Sequence, residues 1–284
     1  MTSEKTAHPE RTLFTKEFKG TPVPTLGFGT FKLKGDACRQ AVGKALATGY
    51  RHLDTARMYN NEVAVGEAVQ DSPIPREDLF ITSKVWWEDL GSQAIREAIE
   101  ASLKDLQTDY LDLVLIHWPN PESPLEESIE TFQVFQKEGK IRHYGVSNFP
   151  SAEFNEAAAH GEIFCNQVEY HPLLGQETLL QTVRRHGAAL TAYSPLAQGE
   201  AAGYPELEAI ARKHGKSSEQ VALRWLIEQD NVLAIPRSSN PEHIRSNFDV
   251  FDFELEAEDR DQIDRLPKNK RQVNPDFAPK WDGE

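Results

Sequence analysis

The segment RHLDTARMYNNEVAVG, residues 51–66, contains one full copy of the pattern that determines the fold. A short apolar strand ends near Leu53 and is followed by Asp54, then by a polar turn that contains Tyr59. A helix is predicted to begin at Glu62. A strand, a polar loop and a helix in this order form one βα unit. A carboxylate at the strand end and a tyrosine in the next loop are typical of a functional loop.

The same strand–loop–helix pattern recurs along the chain. Eight apolar strands are predicted, each followed by a helix; besides the strand above, they span residues 25–31, 78–84, 110–118, 140–148, 163–170, 188–196 and 231–238. Strands that alternate with helices indicate βαβ units and a parallel sheet. Eight such units in about 250 residues are typical of a closed (β/α)8 barrel, the TIM barrel.

The alternative is an open, doubly wound α/β sheet. When such a sheet binds a dinucleotide, it usually carries a GxGxxG fingerprint after its first strand. Here the first strand ends in GFGT, residues 27–30, and no such fingerprint follows. We therefore predict an α/β protein with a single (β/α)8 TIM barrel domain over residues 1–284.

Local signals predict where some elements begin and end. We expect Asp36 and Ser92 to cap the helices that follow them, and Gly49 to end the first helix. The flanking segments are predicted to be a flexible tail at 1–10, a short β segment within 11–19, an extra C-terminal helix and an irregular tail at 267–284.

The composition excludes several classes of protein. The net charge is −14 and the pI is about 5.2, whereas a nucleic-acid binder needs a basic face. No apolar run approaches the roughly 20 residues of a membrane helix, and the first ten residues lack the apolar core of a signal peptide. Cys38 and Cys165 form neither a metal pattern nor a disulfide framework, so we expect two buried thiols. We predict a cytoplasmic monomer without a metal.

Polar side chains stand at or just after the ends of seven predicted strands. The C-terminal ends of the strands form the functional face of a (β/α)8 barrel. A single polar residue there is most simply explained as a structural hydrogen-bonding group, but seven in succession indicate a shared site. These residues are Asp54, Lys84, His117, Asn148, Gln167, Tyr193 and Arg237.

Three segments of the sequence resemble the aldo-keto reductase family. They are GYRHLDTARMYNNEVAVG at 49–66, HW at 117–118 with GVSNF at 145–149, and IPRSSNPEHIRSNF at 235–248. The similarity covers the barrel from about Thr25 to Leu266 and resembles an aldehyde or diketogluconate-like reductase of bacterial or archaeal type with a short C-terminal tail. It implies a nicotinamide cofactor bound without a Rossmann fold and a catalytic tetrad of Asp54, Tyr59, Lys84 and His117.

The chemistry of these four residues suits carbonyl reduction. A carbonyl that accepts hydride develops negative charge on oxygen and needs a proton, which Tyr59 would supply. An adjacent ammonium lowers the pKa of a phenol, so we expect Lys84 to lower the pKa of Tyr59. Asp54 would keep Lys84 charged and oriented, and His117 would hydrogen-bond to the carbonyl oxygen.

The resemblance also implies a set of cofactor-binding residues. Ser147, Asn148 and Gln167 would bind the carboxamide, and Tyr193 would stack on the nicotinamide ring. Gly29 and Thr30 would bring backbone close to the cofactor, and Asp54 belongs to the same set. The remaining members are Ser194, Leu196 and Gln198 at the pyrophosphate, and Arg237, Ser238, His243 and Asn247 at the adenosine end.

The sequence departs from the family pattern at one adenosine-binding position. Relatives that prefer NADPH generally carry an arginine six positions after the first basic residue of this segment, but here that residue is His243. Arg237 can still pair with a 2′-phosphate, whereas an unperturbed imidazole is mostly uncharged near neutral pH. Arg245 points away from His243 on a helix and is a doubtful substitute. We expect NADPH to be preferred and NADH to be used measurably.

Phe28, Trp86 and Trp118 would line an apolar mouth beside His117 and bind the substrate. Because the tail after Leu266 is short, we expect an open site. The expected substrates are aldehydes, dicarbonyls and activated ketones, reduced to alcohols.

Two alternatives remain open at this point. A protein on the same fold could bind the cofactor in a regulatory or subunit role without turnover. An unrelated hydrolase or lyase barrel would need paired carboxylates or a metal cluster, and the sequence shows neither. Glu169 and His171 are close in sequence, and we expect them to form a structural pair.

Overall fold

A hairpin closes one end of the molecule before the barrel begins. The computed structural model describes residues 14–283, so the tail predicted at 1–10 lies outside the described residues. Strands β1 (Thr15–Phe18) and β2 (Thr21–Pro24) pair antiparallel; β1 lies in the predicted short β segment, whereas β2 was not predicted. Phe18 and Val23 pack into a cluster of inward-facing barrel residues, so the hairpin plugs the barrel at the N-terminal ends of its strands.

Eight parallel strands follow in one sheet, in the order β10-β9-β8-β7-β6-β5-β4-β3, and this confirms the predicted strand succession. Each strand pairs with its neighbours in the sequence, as expected for successive right-handed βαβ units. The strands are β3 (Phe28–Gly29), β4 (His52–Asp54), β5 (Phe80–Val85), β6 (Leu111–Ile116), β7 (Ile141–Ser147), β8 (Cys165–Glu169), β9 (Ala189–Tyr193) and β10 (Val232–Ala234).

Backbone hydrogen bonds close this sheet into a barrel. The N–H of Gly27 donates to the carbonyl of Ala234 at 2.8 Å, and the N–H of Ala234 donates to the carbonyl of Thr25 at 2.9 Å. The N–H of Gly29 donates to the carbonyl of Pro236 at 3.1 Å. A Cβ on Gly29 would lie 2.9 Å from the carbonyl oxygen of Ile235, so this glycine permits the close approach that closes the barrel.

Helices follow the strands and cover the barrel. They are α1 (Gly35–Thr48), α2 (Glu62–Gln70), α3 (Ser92–Asp105), α4 (Leu125–Lys137), α5 (Ser151–His160), α6 (Glu177–Arg185), α7 (Pro205–His214), α8 (Ser218–Glu228), α9 (Pro241–Phe248) and α10 (Ala257–Asp264). The last of these is the predicted extra C-terminal helix. None of the helices within residues 14–283 is long and apolar enough to cross a membrane.

The predictions for the helix ends are partly confirmed. Gly49 ends α1 with a φ of 126° and donates its N–H to the carbonyls of Ala45 and Leu46. The predicted caps are wrong, because Lys34 and Gly91 occupy the N-cap positions of α1 and α3. Asp36 and Ser92 therefore lie inside the first turns. Cys38 and Cys165 are buried free thiols, as expected.

The C-terminal tail after α10 is irregular, as predicted, but it is tied to the barrel. The N–H of Lys270 donates to the carbonyl of Leu173, and the N–H groups of Gln272 and Val273 donate to the Glu169 carboxylate at 2.7 and 2.8 Å. Near the end of the tail, the Asp282 carboxylate accepts hydrogen bonds from Ser151 at the start of α5. The tail therefore runs across the C-terminal ends of the strands, where the candidate residues lie.

Candidate active site

A buried ion pair lies at the ends of β4 and β5. The ammonium of Lys84 donates to the Asp54 carboxylate at 2.6 Å and to the backbone carbonyl of Thr55 at 2.8 Å. Both side chains are almost completely buried. The second oxygen of Asp54 accepts a hydrogen bond from the side-chain amide of Gln167 at 2.6 Å. Because each charge has a polar partner besides the other, the pair is tolerated in the barrel interior.

The other two tetrad residues flank this pair. The ammonium of Lys84 lies 5.1 Å from the ring centroid of Tyr59. The rings of Tyr59 and His117 are 5.5 Å apart in an edge-to-face arrangement. His117 follows β6, and its N–H donates to the carbonyl of Val85, which fixes its backbone beside β5. Among the described residues, no group pairs with the buried Nδ1 of His117. The four residues predicted from the sequence therefore lie together.

The environment sets the protonation states of these groups. Burial lowers the pKa of Lys84, while the charge of Asp54 and its hydrogen bond act to raise it. Burial and the positive charge of Lys84 lower the pKa of His117 well below its usual range, so the imidazole is neutral near pH 7. A neutral imidazole keeps one N–H donor, as a carbonyl-orienting group requires.

The pKa of Tyr59 shifts in the direction opposite to the prediction. Burial and the nearby Asp54 carboxylate raise it well above its usual value. The expected net lowering by Lys84 is not found, because burial is the larger effect and the ammonium donates its hydrogen bonds to Asp54 and Thr55. Tyr59 is therefore protonated at neutral pH, which is the form that a proton donor needs.

Three polar side chains form a connected group beside the tetrad. The Asn148 amide donates to the carbonyl of His117 at 3.0 Å and to the hydroxyl of Ser147 at 3.1 Å, and its oxygen accepts from the Tyr193 hydroxyl at 2.8 Å. Ser147 donates to the carbonyl of Gln167. This donor and acceptor set next to a tyrosine ring fits the carboxamide and ring of a nicotinamide. The structure therefore brings together Ser147, Asn148, Gln167 and Tyr193, as predicted.

The loop after β9 has an unusual backbone. Ser194, Ala197 and Gln198 have φ values of 46°, 48° and 54°, and Gly199 has a φ of 98°. Left-handed conformations at non-glycine residues are uncommon and concentrate at functional sites. The predicted pyrophosphate residues Ser194, Leu196 and Gln198 all lie in this loop, beside Tyr193.

The predicted adenosine-binding residues follow β10 and lie on α9. Arg237 and His243 are exposed, whereas Asn247 is buried. The hydroxyl of Ser238 accepts a hydrogen bond from the N–H of Asn240, whose side chain in turn caps α9. Arg237 therefore stands next to a well-ordered helix start, with its guanidinium at the surface.

The first barrel strand contributes differently from the prediction. The backbone carbonyl of Asp54 accepts hydrogen bonds from the N–H and the hydroxyl of Thr30, so Thr30 holds the end of β4.

Phe28 does not line the mouth, in contrast to the prediction. It is 1% exposed and packs against Tyr50 in the layer between sheet and helices. It pairs in register with Leu53, whereas Gly29 pairs with Asp54, so Phe28 faces away from the barrel interior.

Aromatic side chains that the sequence analysis did not include complete the mouth. Phe31 is 49% exposed, and its ring centroid lies 5.0 Å from that of Tyr59. Phe277 in the tail lies over three tryptophans, with centroid distances of 5.8 Å to Trp86, 5.1 Å to Trp87 and 5.4 Å to Trp118. Trp86 in turn lies 5.2 Å from His117.

The tail lies closer to the site than the sequence predicted. The short tail covers the tryptophans, and its Trp281 is buried against Trp118 at 6.1 Å. Irregular segments carry no periodic pattern that predicts their position, but two aromatic residues in a polar tail are a signal that could have been used.

Comparisons with known proteins agree with this geometry. The model of the aldo/keto reductase family matches residues 25–268. The chain is 44% identical to glyoxal reductase of Bacillus subtilis (strain 168), covering 92% of this chain and 95% of the relative. It is 40% identical to methylglyoxal reductase DkgB of Escherichia coli O157:H7, and the match covers 92% of this chain and 99% of the relative.

The fold has a close match among solved structures. One is the crystal structure of a protein assigned as a 2,5-diketo-D-gluconic acid reductase B, with a TM-score of 0.93 and 42% sequence identity. The match covers 95% of this chain and 98% of the chain in that structure. These matches confirm the predicted barrel and carbonyl-reductase function, and they do not support the non-catalytic alternative. The chain belongs to the aldo/keto reductase family.

Proposed function

We propose that this protein reduces small aldehydes and dicarbonyl compounds to alcohols with a reduced nicotinamide cofactor, using Tyr59 as the proton donor. The observation that carries the proposal is the contact group of Asp54, Lys84, Tyr59 and His117 at the C-terminal end of the barrel. A reduced nicotinamide, when bound beside Ser147, Asn148 and Tyr193, supplies hydride.

The four side chains divide the remaining work. His117, neutral and held by its backbone bond to Val85, donates a hydrogen bond to the substrate oxygen and orients the carbonyl. Tyr59, kept protonated by its raised pKa, gives its proton to that oxygen as negative charge develops. The transfer is favourable because an alkoxide is a stronger base than a phenolate.

The ion pair supports this proton transfer. The Lys84 ammonium near the Tyr59 ring stabilises the phenolate that remains after the proton has left. Asp54 holds the ammonium in place through its 2.6 Å hydrogen bond. The aromatic rings of Trp86, Trp118 and Phe277 lie beside His117 and lower the polarity of this end of the site.

The substrate class follows from the mouth of the site. The relatives named for glyoxal and methylglyoxal share 44% and 40% identity with this chain. The aromatic cover formed by Phe277 and the tryptophans leaves a narrower approach than an open barrel end. We therefore infer a preference for compact carbonyl compounds, with bulky ketones as poor substrates.

The adenosine end supports a preference for NADPH over NADH. Arg237 is exposed at the start of the loop before α9 and can pair with a 2′-phosphate. His243, at the position where the family pattern has a second arginine, gives weaker and less constant positive charge. We therefore propose that NADPH is preferred and that NADH also supports turnover.

Steady-state assays with both cofactors test this proposal. The substrates are glyoxal, methylglyoxal, a simple aldehyde and a bulky ketone, and kcat/KM is measured for each. We expect the dicarbonyls to be reduced best, with NADPH giving the higher kcat/KM. The variant Arg237→Ala should lower kcat/KM for NADPH by about ten- to a hundredfold, because a charge-assisted hydrogen bond contributes about 1.5–3 kcal/mol. The value for NADH should change little.

Arg245→Ala is the matched control, since Arg245 is also exposed but lies on the part of α9 away from His243. Arg245→Ala should leave the ratio of kcat/KM for NADPH to kcat/KM for NADH unchanged. A ratio that is equally insensitive to Arg237→Ala would contradict the assigned cofactor contact. A strong preference for the bulky ketone would contradict the proposed substrate class.

A further inference from the structure

Tyr59 lies in a short turn that needs external support to hold its position. The turn is a 3₁₀ segment, Arg57–Tyr59, between β4 and α2, and it ends at Asn60 in a left-handed conformation with a φ of 51°. Such turns leave most of their backbone groups without helical partners. Lys34 donates to the carbonyl of Tyr59 at 2.6 Å, but this lysine is exposed. A flexible turn would let the Tyr59 hydroxyl move relative to the other tetrad members.

Two charged residues on either side of Tyr59 join each other across the turn. The guanidinium of Arg57 donates to the Glu62 carboxylate at 2.9 Å and also to Asp105 at the end of α3. Glu62 opens α2 and is 2% exposed. A buried carboxylate is retained only where its partners satisfy it, so the pairing fixes the ends of the turn relative to each other.

Glu62 also reaches the strand that carries Lys84. Its second oxygen accepts a hydrogen bond from the hydroxyl of Ser83 at 2.6 Å. Ser83 and Lys84 are consecutive in β5, so their side chains point to opposite faces: Lys84 into the barrel and Ser83 toward α2. One carboxylate thus connects the Tyr59 turn to the residue adjacent to Lys84.

We propose that Arg57 and Glu62 are positioning residues that hold Tyr59 at the correct distance from Lys84 and His117 for proton transfer. This proposal depends on the proposed role of Tyr59 as the proton donor. The connection runs from Tyr59 through the Arg57–Glu62 pair to Ser83, and from there along β5 to Lys84. Because neither Arg57 nor Glu62 belongs to the tetrad, their effect on catalysis is indirect.

The charge of Glu62 supports the same assignment. Burial lowers the pKa of Lys84, and the carboxylates of Asp54 and Glu62 act against this lowering. Glu62 is therefore close enough to Lys84 to help maintain its positive charge, in addition to fixing the turn.

The variant Arg57→Met tests the proposal. The Arg57 side chain is 38% exposed, so its loss should leave the fold intact. We expect kcat to fall about ten- to a hundredfold, since a displacement of about 1 Å at a reacting group can have an effect of this size. The KM for methylglyoxal and the Kd for NADPH, measured by fluorescence, should change less than about threefold because the binding residues are untouched. Arg57→Lys should recover most of the lost kcat.

Arg142→Met is the matched control. Arg142 is 46% exposed and donates to the buried carboxylate of Asp112, near the start of β6 and far from Tyr59. It should lower the thermal stability to a similar extent but leave kcat unchanged. Ser83→Ala removes the hydroxyl that bonds to Glu62 and should lower kcat by a smaller factor than Arg57→Met.

Four variants separate the possible failures. If Tyr59→Phe is inactive while Arg57→Met and Ser83→Ala keep wild-type kcat, the positioning role is overturned and the proton donor stands. An equal loss of kcat in Arg142→Met and Arg57→Met also overturns it, because a general loss of stability would then explain both. If Tyr59→Phe remains active, the proposed function itself fails.

Discussion

The protonation states at the site depend on burial and could not be read from residue types alone. The sequence identifies Tyr59 and His117 as reacting groups, but the direction of each pKa shift depends on how much water the folded chain excludes. Burial keeps Tyr59 protonated and His117 neutral. The predicted net lowering of the Tyr59 pKa failed for this reason, because burial outweighs the nearby ammonium, whose hydrogen bonds go to Asp54 and Thr55.

Three histidines that are shielded from water make the stability of the protein depend on pH. Burial lowers the pKa of His52, His117 and His143. In the unfolded chain these residues take up protons below about pH 6.5, whereas the folded protein resists protonation. The unfolded state then binds more protons than the folded state. The stability that these histidines contribute is therefore present above this pH and is lost as the pH falls.

Urea unfolding at pH 7 and pH 5 checks this dependence. Each such histidine should lower the free energy of unfolding by about 1.4 kcal/mol for every pH unit below the pKa that it has in the unfolded chain. In His52→Gln, the difference between the free energies of unfolding at pH 7 and pH 5 should therefore be smaller by about 1–2 kcal/mol than in the wild type. This holds whatever the stability of the variant at pH 7. A wild-type protein that is equally stable at both pH values would contradict this account.

Among the elements, the C-terminal tail differs most from its predicted form. Its lack of periodic structure was predicted, but its course across the barrel was not. The pairing of Glu169 with His171 was expected to be structural, and the structure confirms it with a 2.9 Å hydrogen bond between buried side chains. The same carboxylate also accepts the N–H groups of Gln272 and Val273, which places Phe277 over the tryptophans. Bonds to backbone N–H groups do not require a particular side chain, so no sequence motif marks them.

The tail position predicts an effect on substrate size. Phe277→Ala should remove the ring that covers Trp86, Trp87 and Trp118 and widen the mouth. We expect kcat/KM for a bulky ketone, divided by that for methylglyoxal, to rise about three- to tenfold. Phe14→Ala is the control, because Phe14 is similarly exposed but packs against Phe251, outside the candidate site. An unchanged ratio in Phe277→Ala would show that the tail does not limit access.

At the scale of the whole molecule, the sequence determined most of the architecture. Eight regularly repeated apolar strands and their helices predict a barrel, and the barrel brings the strand ends to one face. Residues as distant in sequence as Asp54 and Gln167 therefore meet at 2.6 Å. The assignment of Phe28 failed because β3 has only two residues, too few for alternation to show which face each side chain takes.

Carbonyl reduction requires three parts of the molecule at one place. Tyr59 comes from the turn after β4, Lys84 from β5 and His117 from the residue after β6, so only the closed barrel brings them together. The claim is that Tyr59 donates the proton during carbonyl reduction. A substitution that removes only its hydroxyl tests this with the least disturbance to the fold.

The measurement is methylglyoxal-dependent oxidation of NADPH by Tyr59→Phe, with the Kd for NADPH determined in parallel. Tyr110→Phe is the control, because Tyr110 stacks between Arg76 and Arg142, away from the tetrad. We expect kcat to fall by about 10²–10⁴ in Tyr59→Phe, while the Kd for NADPH stays within about twofold of the wild type. A Tyr59→Phe variant that keeps wild-type kcat would contradict the account.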